Sequence, residues 1–325
     1  MRCAGCLTVF FLVTVICGGT SVLDGEPAAS LNERLGYPPD AKLLIVHNDD
    51  AGVAHSVNTA AFKALESGLV TSTSLMAPCP WIHEVAAYAK KNPQADIGVH
   101  LTLTCEWDNY RWKPVAGKSR VPSLMDPEGY FNKIQNAMAV IDAGQAEIEM
   151  RQQVELARAV GIEPTHIDSH QLIVLFRPDL FEAYLQLGRE TGIPVLLSPG
   201  LFEFGRAHLG EAAPDWESFL KPEDILIDNV VSITPWDAAE GWPAFYQKTI
   251  KNLKPGVTEL IVHVGIDGDE MMGIAGDVDF GSSWRQKELD YITSDEFREL
   301  LKEENVKLIG WKEIAELYRS GLNSR

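Results

Sequence analysis

Basic residues are scarce in this chain. It has 28 lysines and arginines against 46 aspartates and glutamates in 325 residues, a formal net charge of −18. So acidic a surface repels phosphate backbones and excludes a general nucleic-acid binder. Cysteine is nearly absent too. Of five, Cys3, Cys6 and Cys17 fall at the extreme N-terminus, leaving Cys79 and Cys105 for the body of the chain. That excludes a disulfide-framework fold and leaves one Cys79–Cys105 bridge or, the preferred reading, two buried thiols. No apolar run is long enough to span a bilayer comfortably. Repeats, low-complexity tracts and dividing linkers are missing, and 46% hydrophobic with 23% charged residues is ordinary globular composition. One domain is expected.

The N-terminus carries an address. Arg2 precedes an apolar run over residues 7–17, and Gly18, Gly19, Thr20 and Ser21 follow. This is the pattern of a secretory signal peptide over residues 1–21. It predicts export to the periplasm or the extracellular space, with the mature chain covering residues 22–325 and holding no transmembrane segment.

Strand-like and helix-like stretches alternate through the remainder. Strands are expected at 43–47, 72–76, 97–103, 165–168, 195–197, 225–231, 259–264 and 306–309. Helices are expected at 57–67, 81–91, 145–160, 179–191, 242–253, 294–304 and 312–319, several ending at Gly68, Gly161 or Gly192. Eight strands interleaved with helices predict an α/β fold: a single-domain (β/α) barrel, distorted, of parallel strands with its active site at their C-terminal ends. An open doubly wound sheet is the alternative. Two connections, 105–132 and 265–285, are long enough to be binding loops or lids. The first holds Trp107, Tyr110 and Trp112, which can stack on sugar rings or form the small core of the loop itself.

Chemistry-bearing residues collect at the predicted strand ends. His47, Asn48, Asp49 and Asp50 close the first strand, His100 lies near the end of the third, and His166, Asp168 and His170 close the fourth. His263 closes the seventh. Adjacent residues in a strand point to opposite faces, so Asp49 and Asp50 can share a pocket only if the strand ends there and the chain turns at Gly52. One aspartate with two histidines can hold a divalent ion, and the other aspartate is placed to act as general base. The bland alternative makes the aspartates caps of the next helix. Of His166 and His170 only one need face the ion, and Asp168 between them can fix an imidazole tautomer from behind. His47 is expected to be buried, and His55, His83 and His208 to be structural.

The string HNDDAGVAHSVNTAAFKALESGLVTSTSLMAPCPW, with GVHLTLT, PTHIDSH, TELIVHVG and LIGWKEI, resembles the YdjC-like carbohydrate deacetylases, a group that includes chito-oligosaccharide deacetylase. The resemblance covers nearly the whole mature chain. It implies a distorted (β/α) barrel and removal of acetyl groups from N-acetylated sugars or oligosaccharides with one divalent metal ion (magnesium, zinc, manganese or cobalt). Matching motifs make Asp50, His100 and His170 the metal ligands and Asp49 the general base. His263 stands where the family has a His-Pro-Gly element and is the candidate acid. Ala51, Gln171 and Val264 depart from the family's usual phenylalanine, histidine and proline. They leave the ligands intact but alter the pocket wall, so chito-oligosaccharide is not carried over as the substrate. Two other readings compete: a hydrolase of another amide or a phosphoester on the same barrel, and a non-catalytic envelope sugar-binding protein. Homo-oligomerisation is left open.

Overall fold

The computed structural model describes residues 29–323, so the expected signal peptide lies outside the described residues. Seven parallel strands form one sheet: β1 Lys42–Ala51, β2 Ser72–Leu75, β3 Ile97–Leu101, β4 Ile167–Ser169, β5 Asn229–Ser232, β6 Gly256–Val262 and β7 Val306–Leu308. The order is β4-β3-β2-β1-β6-β5. β1 is central. It pairs with β6 from Lys42 to Asn48 on one side. On the other it meets β7 at Lys42–Leu44 and β2 from His47 onward.

The sheet curls until its two ends nearly meet, across a stretch that sequence reading had as a strand. Residues 195–197 are not one. Val195 makes an isolated parallel bridge to Ile167. Single hydrogen bonds continue it: Leu196 N–H to the Ile167 carbonyl at 2.8 Å and Ile227 N–H to the Leu197 carbonyl at 3.0 Å. The expected strand at 225–231 begins only at Asn229. The architecture is therefore the distorted barrel expected, with seven strands rather than eight among the described residues and a seam of isolated bonds at 195–197.

The expected helices are present within a few residues, from His55–Glu66 to Trp311–Asn323. Several were not foreseen, among them Pro199–Leu209, Asp269–Ile274 and Ser282–Ile292. The last two fill much of what read as a long loop. No described helix is long and apolar enough to cross a membrane. Alternation along β1 sorts its side chains. Leu44 and Val46 join Leu260 and Val262 in an apolar layer under the helices Trp242–Lys251 and Asp295–Glu303. Leu43 and Ile45 belong to the larger core on the opposite face, with His47 and Asp49 next in the same register. Cys79 and Cys105 are buried free thiols.

The inside of the barrel is polar below the site. The His166 ring stacks on Trp311, with centroids 4.9 Å apart. The indole N–H of Trp311 donates to Glu259 at 2.8 Å. Gly98 makes room for this layer, since a Cβ there would lie 2.4 Å from His166 Nε2. Gly98→Ala is accordingly expected to lower stability by about 1–3 kcal/mol, the usual cost of overpacking a filled core. Thermal unfolding measures it, and an unchanged melting temperature would show that the ring has somewhere to go.

Candidate active site

Asp49 and Asp50 reach the same cavity because β1 stops being regular between them. The β1–β2 register shifts between Asn48 and Ala51, and Asp50 adopts a left-handed conformation with φ of +69°. Such a conformation is rare outside glycine, asparagine and aspartate and marks backbone held by its surroundings. Neither aspartate caps the following helix, whose N-cap is Ala54. The capping alternative is thereby removed.

Asp50, His100 and His170 are all buried, and each offers a ligand atom within 4.8 Å of the others. Asp50 Oδ1 lies 3.6 Å from His100 Nε2 and 3.6 Å from His170 Nδ1. The two imidazole nitrogens are 3.3 Å apart. These edges fit ligands about 3.3 Å apart around a tetrahedral ion bound at roughly 2.0–2.1 Å. Asp50 Oδ1 is buried and has no hydrogen-bond partner among the described residues, as an oxygen reserved for a cation would be. The donor set of one carboxylate and two imidazoles suits zinc, manganese or cobalt, and magnesium with added waters.

Each member is steered from behind. His100 Nδ1 shares a hydrogen with Asp168 Oδ1 at 2.8 Å, and His170 Nε2 pairs with Glu106 Oε2 at 2.9 Å. Both contacts leave the other ring nitrogen facing Asp50. Asp50 Oδ2 accepts from Arg285 Nη2 at 2.7 Å, and Arg285 is only 2% exposed. Burial works against the Asp50 anion, but Arg285 and His170 together outweigh it and hold the carboxyl well below its usual range. Burial also opposes charge on His170, yet Glu106 and Asp50 push its pKa up to about 10. His100 is raised against burial by Asp168 and Asp49. The surrounding carboxylates thus favour positive charge at the triangle, whether as protons on the imidazoles or as a bound cation.

Asp49 stands beside the triangle. Its Oδ2 lies 3.5 Å from His263 Nε2 and 3.8 Å from His100 Nε2. Its Oδ1 is 3.2 Å from His47 Nε2. His47 is fully buried, and the same nitrogen lies 3.0 Å from Asp168 Oδ2. Burial favours neutral His47, but Asp168 and Asp49 overcome that and hold it well above its ordinary pKa. One buried imidazole therefore ties Asp49 to the carboxylate behind His100. His263 is partly exposed at 19%, and burial lowers its pKa. Its backbone N–H donates to Glu288 Oε2 at 2.9 Å.

The cavity above these groups has a volume of about 330 Å³. Asp49, Asp50, His100, His170, Asp168 and His263 all line it. His166 lies deeper, against Trp311 and edge-on to His47. The aromatic loop divides. Trp107 lines the cavity, whereas Trp112 is buried and donates its indole N–H to the Thr104 carbonyl at 2.9 Å. The Tyr110 hydroxyl bonds the Val53 carbonyl and pins the loop to the turn after β1. His55 pairs with Glu84 and His208 with the Phe204 carbonyl. Sequence reasoning missed Arg285, Glu106 and Glu288. Each is a charged residue in a stretch without a motif, and Arg285 sits at the far end of the expected loop.

Asp168→Asn is expected to reduce metal affinity or activity by roughly 10–100-fold, because both carboxylate oxygens orient imidazoles. Metal titration of the variant checks this, and wild-type affinity would mean that the imidazoles hold their orientation without it.

A parallel barrel with carboxylates and imidazoles converging on one cavity at the C-terminal ends of its strands has the layout of a barrel enzyme. The chain belongs to the YdjC-like family, whose model, described as YdjC-like protein, matches residues 43–303. A carbohydrate deacetylase of Thermus thermophilus is 31% identical over 276 residues, 84% of this chain and 94% of that protein. One from Clostridium beijerinckii is 27% identical, covering 83% and 99%. Among solved structures, a provisionally named cellobiose-phosphate cleavage protein from Enterococcus faecalis superposes with a TM-score of 0.69 at 23% identity. It covers 84% of this chain and 99% of its own, a likeness of fold.

Proposed function

We propose that the protein is a metal-dependent hydrolase that removes acetyl groups from N-acetylated sugars or oligosaccharides. The observation that carries this reading is the Asp50–His100–His170 triangle with Asp49 beside it in one cavity. The names of the relatives support the same substrate class.

Asp50 Oδ1, His100 Nε2 and His170 Nδ1 would hold the ion. A divalent cation there supplies polarisation of the acetamide carbonyl and acidification of a water molecule. Asp49 takes the proton of the attacking water. His263, kept neutral by burial, receives that proton across the 3.5 Å contact and delivers it to the departing amine. Acetate and the free amino sugar leave. Arg285 keeps Asp50 ionised throughout, and Trp107 offers a ring to the sugar.

The test is incubation of the purified, metal-supplemented protein with a panel of N-acetylated sugars, read by mass spectrometry for loss of acetyl. Chelator should abolish the loss. Turnover of phosphoesters with no acetate release from any sugar would overturn the reading.

Export is part of the same proposal. The basic start, apolar run and small-residue exit before residue 22 support it. N-terminal sequencing from the native source should find a start between about Gly18 and Gly25, and recovery of Met1 would overturn it.

A further inference from the structure

The proposed mechanism leaves one buried imidazole beside the base without a task. His47 is fully buried on β1, two residues before Asp49 and on the same face. Its ring is fixed at both nitrogens and along one edge. Nδ1 lies 2.7 Å from Ser72 Oγ, and the His166 ring packs edge-on with centroids 4.8 Å apart. Nε2 faces three oxygens: Asp168 Oδ2 at 3.0 Å, Ser74 Oγ at 3.1 Å and Asp49 Oδ1 at 3.2 Å.

These contacts close a circuit across neighbouring strands. Ser74 Oγ lies 3.2 Å from His100 Nδ1, and Asp168 Oδ1 lies 2.8 Å from the same nitrogen. His47 on β1, Ser74 on β2, His100 on β3 and Asp168 on β4 are thus joined side by side. The two carboxylates facing Nε2 fix a hydrogen on that nitrogen, whether or not Nδ1 carries one. Ser72 serves Nδ1 in either case, since a hydroxyl both donates and accepts.

Asp49 hangs on this circuit through His47. Its Oδ2 is 3.5 Å from His263 and 3.8 Å from His100, too far for either ring to grip it. Its Oδ1 is buried, makes no well-aligned hydrogen bond among the described residues, and touches His47 Nε2. That contact leaves Oδ2 on the cavity side to take a proton. A general base must be aimed at its water, and a misplacement of about 1 Å costs on the order of 10²-fold.

We propose that His47 is a positioning residue of the hydrolysis: it ties Asp49 to the Asp168–His100 pair, so that the base and one metal ligand keep a fixed relation. The inference rests on the deacetylase reading above. It assigns an effect on turnover to Asp49 and an effect on metal affinity to Asp168.

Kinetics of His47 variants at saturating metal test it, read as acetate release from the same panel of sugars. The amide of His47→Asn reaches no further than the Nδ1 position, so the donor facing Asp49 is lost. Its kcat should fall roughly 10–100-fold with KM changed less than about threefold. His47→Gln places an amide N–H near the Nε2 position and should recover most of that loss. In an Asp49→Asn background, His47→Asn should cost less than about threefold more, because the group that it positions no longer works. Ser72→Ala removes only the bond at Nδ1. It should give a smaller loss of kcat that also disappears in the Asp49→Asn background, which keeps the test valid if His47→Asn does not fold. A merely structural imidazole predicts lower melting temperatures with kcat unchanged, and that result overturns the inference. So does a loss of kcat that is undiminished in the Asp49→Asn background. Either result leaves the deacetylase reading standing, whereas no acetate from the wild-type protein overturns both.

Discussion

Asp49→Asn is expected to lower acetate release by roughly 10²–10⁴-fold while bound metal stays near wild type, the signature of a lost general base. The side chains are almost the same size, so packing should survive. What changes is the ability to accept a proton. Asp49 is outside the Asp50–His100–His170 triangle, and its nearest titratable neighbours are His47, His263 and His100. Asparagine at 49 also removes one of the carboxylates, with Asp168 and Glu259, that hold His47 in its charged form, so a small loss of melting temperature should accompany the loss of turnover. Elemental analysis and turnover on the same sample decide the matter. Metal loss equal to that of Asp50→Asn would make both aspartates ligands, and retained turnover would place the base elsewhere.

The second large effect separates the ligands from one another. His100→Ala and His170→Ala should each leave the protein with substoichiometric metal and no measurable turnover, because each deletes one of the three proposed protein ligands. Asp50→Asn should lose metal too, but with a stability penalty that the histidine variants do not share. It breaks a buried ion pair and leaves the Arg285 guanidinium uncompensated, a change that costs about 3–5 kcal/mol in comparable settings. Arg285 Nη1 has no partner among the described residues even in the native state, so nothing nearby is poised to take over. Full metal occupancy in both alanine variants would mean that the ligands are elsewhere. An Asp50→Asn protein that melts with wild type would mean that Arg285 finds water or another acceptor.

How much of this could be read without coordinates depends on how local the signal is. β1, β3, β6 and β7 are carried by apolar runs whose own composition declares them, and the turn needed at Gly52 followed from period-two geometry. The left-handed Asp50 did not follow, because it is imposed by the bulge against β2 and by Arg285 from far along the chain. Residues 195–197 are as apolar as any strand, yet their ladder depends on how Ile167 and Ile227 happen to lie, which no local pattern encodes. The stretch 265–285 read as a loop because its glycines and aspartates interrupt helical periodicity. The helices Asp269–Ile274 and Ser282–Ile292 exist there through tertiary contacts such as Glu270 with the Ser56 N–H. Asp49, Asp50, His100, His170 and His263 were visible through their motifs. Arg285, Glu106 and Glu288 were invisible for want of one.

The seam between β4 and β5 gives the barrel a clasp rather than a weld. Leu196, which lines the catalytic cavity, hangs on it by one bond to Ile167, and Leu197 holds Ile227 by one more. Every metal-facing group stands on or directly beside the continuous part of the sheet, from β4 through β1 to β6. Substitutions along residues 194–197 can therefore widen or narrow the chamber without moving the carboxylates and imidazoles. For evolution the specificity wall and the reaction centre are separately adjustable parts, and a laboratory selection for new acyl-sugar specificities would do best to begin at that clasp.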